Sequence, residues 1–128
     1  MNLSTQNREK YHSYLNSYEW HQKKSQWVAD GRPTFCFACE KPMPYVGARG
    51  FNFHHQSYDN LFNENFDDLV LLCSPHHAQL EVEFKLHKGR ISLKSWTWMF
   101  ISQTRVENGL CGIGKSSSIG ALLGEFYE

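Results

Sequence analysis

Residues 51–77 read FNFHHQSYDNLFNENFDDLVLLCSPHH, and how this stretch folds decides the reading of the rest of the chain. Phe51 to His55 has the length and aromatic content of a short strand. Tyr58 to Asp68 is polar and loop-like. Leu69-Val70-Leu71-Leu72 is a short apolar run that suits either a buried strand or the opening of a buried helix. Beyond Cys73, Pro75 is placed to start a helix through His76, His77, Leu80 and Phe84, since a first-turn proline gives up no helical hydrogen bond. Lys88-Gly89 ends that helix. Four of the seven histidines fall in this stretch as two adjacent pairs, His54-His55 and His76-His77.

Just upstream stands Cys36-Phe37-Ala38-Cys39, followed by Glu-Lys-Pro-Met-Pro, a composition that forms a tight metal-wrapping turn. Paired with Cys73-x-x-His76, about 35 residues on, it supplies the four nitrogen and sulfur ligands of a tetrahedral zinc. A filled set of this kind is structural, and a small domain gains folding energy from it. Cys111 is the competing fourth ligand. The two-residue spacer before His76 favours His76, because it pre-forms the chelate while Cys111 lies in a Gly-rich stretch. Disulfides are the alternative use of four cysteines, and they suit a secreted chain better than one with a Cys-x-x-Cys pair and no export signal.

The histidine pairs suggest a second site. Adjacent residues of a strand point to opposite faces, so one of His54 and His55 can ligate a metal while the other approaches a substrate. His77 follows the zinc knuckle directly. Glu81 lies one helical turn beyond it, on the same face. His54, His77 and Glu81 could therefore surround one cation, with His55 beside it.

The flanks complete a single-domain plan for the 128 residues. Residues 1–34 form a helical arm: Tyr11, Tyr14, Leu15 and Tyr18 recur at helical spacing, and Trp20 and Trp27 share a face two turns apart. Ser17 is the expected N-cap of a helix over roughly 18–29, ended by Gly31 and Pro33. Lys23 and Lys24 sit on that helix and read as a solvated face rather than as phosphate contacts. Residues 35–84 form the metal-bound core. Residues 85–128 form a basic, aromatic extension, where the alternation of Trp96, Trp98 and Phe100 points to a strand. A Gly/Ser-rich loop over 109–120 and a short helix over 121–127 follow.

Net charge is zero, which as an average argues weakly against a nucleic-acid binder. Its distribution argues the other way. Residues 1–35 carry five Lys/Arg against three Asp/Glu, residues 36–83 two against seven, and residues 84–115 six against one. An acidic, His-rich middle between basic arms suits a cation site flanked by phosphate-facing surfaces. No apolar run is long enough for a membrane span and the N-terminus has no apolar leader, so a cytoplasmic protein is expected.

The string Cys-x-x-Cys … Phe-His-His-x-x-Tyr … Asn-Glu … Asp-Leu-Val-Leu-Leu-Cys-x-x-His-His resembles the HNH endonucleases, in their zinc-binding ββα-metal branch. Tyr11 to Trp20, Tyr-x-x-Tyr-Leu-x-Ser-x-x-Trp, is similar to the helix that precedes the first knuckle in small bacterial and phage members. The resemblance covers roughly residues 11–84 and implies an α+β fold. It places His54 and His77 as ligands of the catalytic cation and His55 as general base. It places Asp68 where many members carry the Asn that braces the loop between the strands and so orients the base. Glu64 matches a buried or loop-bracing acidic residue with a structural role. Two positions depart from the family. The second knuckle usually reads Cys-x-x-Cys-His, so His76 replaces a thiolate. Glu81 stands where a final His is common, and a carboxylate there favours Mg²⁺ or Mn²⁺ over Ni²⁺ or Zn²⁺.

The resemblance thus implies a DNA endonuclease with a structural zinc, one catalytic divalent cation and products ending in 5′-phosphate and 3′-hydroxyl. Arg49 and Arg90 are candidate phosphate clamps, and Lys85, Lys88, Lys94 and Arg105 candidate backbone contacts. One such site cuts one strand, so a homodimer would serve double-strand cleavage. The competing readings are a non-catalytic zinc module for DNA or a protein partner, and a defence or toxin nuclease acting on RNA.

Overall fold

The computed structural model describes residues 5–110. Helix α1 spans Thr5–Leu15 and α2 Tyr18–Ala29; strand β1 spans Phe51–His55 and β2 Leu69–Cys73; helix α3 spans Ser74–Phe84 and α4 Leu93–Glu107. The fold is α+β, four helices around a two-stranded antiparallel sheet. No helix among the described residues is long and apolar enough to cross a membrane. Cys111 and the segments read over 111–120 and 121–127 lie outside the described residues.

The strands pair in the register Phe51↔Cys73 through His55↔Leu69. A polar loop joins them and ends in a 3-10 turn at Phe66–Asp68. All five residues of β2 are buried, which explains its unbroken apolar reading: both faces of the sheet are covered. One face of β1 meets α2, where Trp20 and Trp27 pack edge-on against Phe53 and Trp20 stacks on His55. The other face meets α3 and α4, where His54 reaches Thr97 and His77.

Helix α2 begins where the sequence suggests. Ser17 caps it by accepting a hydrogen bond from the Trp20 amide at 3.1 Å. Gly31 takes the left-handed conformation just past its end, with φ 85°. Pro75 sits in the first turn of α3.

The strand expected from Ile91 onward is instead helix α4, and the reason is visible in its burial. Trp96, Thr97, Trp98, Phe100, Ile101, Thr104 and Arg105 are all buried, a broad stripe of helical period. The alternation of Trp96, Trp98 and Phe100 samples half of that stripe and mimics a period of two. Ser92 starts the helix by capping the Ser95 amide at 3.1 Å. The indoles of Trp96 and Trp98 donate to the Leu80 carbonyl at 3.1 Å and to Gln56 Oε1 at 2.6 Å. Neither flank hangs off the core: the N-terminal arm contributes Trp20 and Trp27, and the C-terminal one Trp98 and Ile101.

Candidate functional site

The first cluster gathers Cys36, Cys39, Cys73 and His76. Residues 34–43 form a knuckle, closed by a bridge between Phe35 and Pro42, by the Cys36 amide donating to Lys41 and by the Glu40 amide donating to Cys36. Glu40 turns the chain with φ 64°, a conformation that costs a non-glycine residue some energy. Arg105 holds it there. Its guanidinium donates to Glu40 Oε2 at 2.8 Å and to the Phe37 carbonyl at 3.2 Å.

His76 Nδ1 lies 3.2 Å from Cys73 Sγ and 3.9 Å from Cys36 Sγ, and the sulfurs of Cys39 and Cys73 are 3.9 Å apart. Zinc–sulfur bonds of about 2.3 Å at tetrahedral angles put sulfurs about 3.8 Å apart. The group therefore fits a zinc-sized ion. Without a cation, burial pushes the Cys36 thiol up to about 12, so charge on this sulfur needs a metal beside it.

The second cluster is His54, His77 and Glu81. His76 and His77 are consecutive, about 100° apart around α3, so one helical turn supplies both clusters. His77 Nε2 is 3.2 Å from Glu81 Oε1, an i,i+4 pair, and His54 Nδ1 is 3.5 Å from the same oxygen. The Thr97 hydroxyl spends its one proton on the Leu93 carbonyl at 2.7 Å, so it can only accept from His54 Nε2 at 3.0 Å. Nδ1 of His54 is thus a buried lone pair with no hydrogen-bond partner. Burial lowers the His54 pKa and keeps the ring neutral. A lone pair and a carboxylate oxygen face each other, an arrangement that a cation between them would satisfy.

His55 is locked separately. Its ring lies between Trp20 and Tyr58, at interplanar angles of 22° and 14°. Nε2 is 2.6 Å from Glu64 Oε2, and Tyr14 donates to Glu64 Oε1 at 2.6 Å. Burial alone would raise the Glu64 pKa, but the hydrogen bonds from His55 and Tyr14 outweigh it and the net shift is downward. An ionised Glu64 can only accept, so it fixes the proton of His55 on Nε2. Nδ1 faces the Tyr11 hydroxyl at 3.3 Å. His54, His55, His77, Glu81, Tyr11 and Tyr58 all line one cavity of about 470 Å³.

The sequence motifs therefore meet in two clusters, while several side chains take other posts. Among the described residues no hydrogen bond joins the Asp68 carboxylate to His55. Its Oδ2 accepts from the Asn65 amide at 2.9 Å and from Asn60 at 3.1 Å, and so braces the loop that carries Glu64. Glu64, read from sequence as a buried or bracing residue, is buried and is the residue on the imidazole. Arg105 is a correction: it is 1% exposed and committed to the knuckle, so it is not a phosphate contact. Lys23 and Lys24 are a second correction to the solvated-face reading. Lys23 donates to the Glu64 carbonyl at 2.9 Å, and Lys24 lines the cavity. Arg49, Lys85, Lys88, Arg90 and Lys94 are exposed and outside the cavity wall. Thr97, Tyr11 and Tyr14 carried no site signal in the sequence beyond the helical spacing of the two tyrosines.

Comparison of the chain with protein-family models, with curated proteins and with solved structures gave no match.

Proposed function

We propose that this chain is an HNH-type endonuclease with a ββα-metal core, a structural zinc on Cys36, Cys39, Cys73 and His76, and a catalytic cation held by His54, His77 and Glu81. One observation carries the reading. Two neighbouring histidines each have Nε2 committed to a buried acceptor, Thr97 or Glu64, which leaves both Nδ1 atoms as acceptors beside a common cavity. A structural zinc module has no use for that arrangement. Phosphodiester hydrolysis does: it needs a cation site and a base side by side.

In this reading His55 Nδ1 removes the proton of the attacking water. Glu64 stabilises the imidazolium that forms and keeps the ring from turning, with Trp20 and Tyr58 on its faces. The Tyr11 contact, at 3.3 Å, is long enough to yield to a water or to share it. Thr97 holds His54 in the tautomer that presents a lone pair. The bound cation would supply Lewis-acid stabilisation of the phosphate and of the leaving oxygen. DNA is the proposed substrate, and two copies would be needed to cut both strands.

The test is cleavage of supercoiled plasmid in Mg²⁺, Mn²⁺, Ni²⁺ and Zn²⁺ by wild type and His55→Ala. Wild type should nick or linearise it. His55→Ala should be slower by about 10²–10⁴-fold, with zinc content and helicity unchanged. A wild-type protein inert in all four cations, or a His55→Ala variant cutting at the wild-type rate, would defeat the proposal.

A further inference from the structure

The cavity wall holds one more charged side chain. Lys24, on α2, is the one lysine or arginine among the described residues that lines it. It is half-buried, with its ammonium 5.8 Å from the centre of the Trp20 ring. No carboxylate among the described residues pairs with it. The two carboxylates nearest the chemistry are already engaged, Glu81 by His77 and Glu64 by His55 and Tyr14. Partial burial without a counter-charge lowers the pKa of this ammonium, so an anion in the cavity would remove a real cost.

A neutral donor lines the same cavity from the other face of β1. Asn52, on β1, lines the cavity and accepts from Ser74 Oγ through Oδ1 at 2.8 Å. That bond turns the amide and leaves its Nδ2 group available to donate. The cavity's size also matters. At about 470 Å³ it is larger than one phosphate group fills.

We infer that Lys24, with the Asn52 amide, holds a phosphate of the substrate strand that neighbours the one at His54, His77 and Glu81. The inference rests on the nuclease reading and narrows it: the site takes an oligonucleotide with at least two adjacent phosphates. The strand then runs past the edge of β1 that β2 leaves unpaired, and α2 forms the substrate channel as well as the core. Among the basic residues, Lys24 is set apart from Lys85, Lys88 and Arg90 by being inside the cavity.

The experiment is the binding of a fluorescently labelled DNA oligonucleotide, followed by anisotropy over a salt series with no added divalent cation. Wild type, Lys24→Gln and Lys24→Arg are compared, each checked for zinc content and thermal transition. Lys24→Gln should bind about five- to tenfold more weakly and lower the slope of log K against log salt by about 0.7–0.9, one phosphate contact. Lys24→Arg should stay within about twofold of wild type. A Lys24→Gln protein that keeps both affinity and slope overturns the inference and leaves the nuclease reading standing. A wild-type protein that binds no oligonucleotide overturns both.

Discussion

His76 and His77 are neighbours in α3, yet they face clusters of opposite character. His76 joins three cysteines, two of them buried, in a set of four with no open position. His77 joins a histidine and a carboxylate in a set of three beside a cavity. Thiolates and a closed shell suit zinc as a staple; a carboxylate and open positions suit a cation that must meet a substrate. The difference teaches that one helical turn can anchor a fold and present chemistry at once. A zinc on the first cluster would hold the start of α3 in place, and with it the second cluster.

The largest effect that would test this contrast is loss of the staple. Structural zinc contributes on the order of 10–16 kcal/mol of binding free energy in small zinc domains, more than a domain of this size has to spare. Cys73→Ser should therefore abolish cooperative thermal unfolding, and the wild type should contain one tightly bound zinc per chain. Metal analysis finding no zinc in well-folded protein would collapse the distinction between the clusters.

The second test stays within the open site. Glu64→Gln removes the charge that fixes the His55 proton on Nε2 but keeps the shape. Cleavage should fall by about 10- to 100-fold while zinc content stays at one, in line with the loss of a partner that sets a histidine's tautomer. The same substitution should blunt acid sensitivity. The folded Glu64 pKa is depressed, so its stabilisation is complete above the ordinary carboxylate range near about pH 4.3 and is lost as pH falls through the folded value. An unchanged cleavage rate would mean that aromatic stacking alone orients His55.

A smaller change should follow at Glu81. Glu81→His makes the open cluster resemble an all-nitrogen site, and metal preference should move from Mg²⁺ or Mn²⁺ toward Ni²⁺ or Zn²⁺. Glu81→Ala should raise the metal concentration for half-maximal cleavage by about tenfold. Wild-type metal dependence in both variants would remove Glu81 from the site. The smallest effect belongs to the exposed turn after α3. Neutralising Lys85 and Lys88 together should lower the salt slope of DNA binding by roughly two phosphate equivalents and leave cleavage chemistry alone. An unchanged slope would make them plain solvent-facing charges.

Much of the fold was legible because its signals are local. The Ser17 cap and the Pro75 start each report the conformation of the residues that carry them, whereas the run at Leu69–Leu72 fitted a strand or a helix until its pairing with β1 decided it. Helix α4 was misread for a related reason: three aromatics spaced by two fit either period, and the deciding residues, Thr97 and Ile101, show their burial only once the helix is packed.

The same division runs through the site. By itself the sequence pointed to the candidate donor pairs, because Cys36-x-x-Cys39, Cys73-x-x-His76 and the His77–Glu81 turn are short enough for local chain geometry to bring their donors together. Tertiary structure alone decided what those groups face. Glu64 meets His55 across a loop, Thr97 meets His54 from 43 residues away, Tyr11 meets His55 from 44, and Arg105 reaches Glu40 from 65. Such pairings depend on how α1, α2 and α4 pack on the sheet, and no spacing along the chain records that. Whether a lysine is a solvated charge, a brace or a cavity wall is likewise a property of its surroundings. Lys23 and Lys24 are adjacent and chemically identical, and only packing separates them.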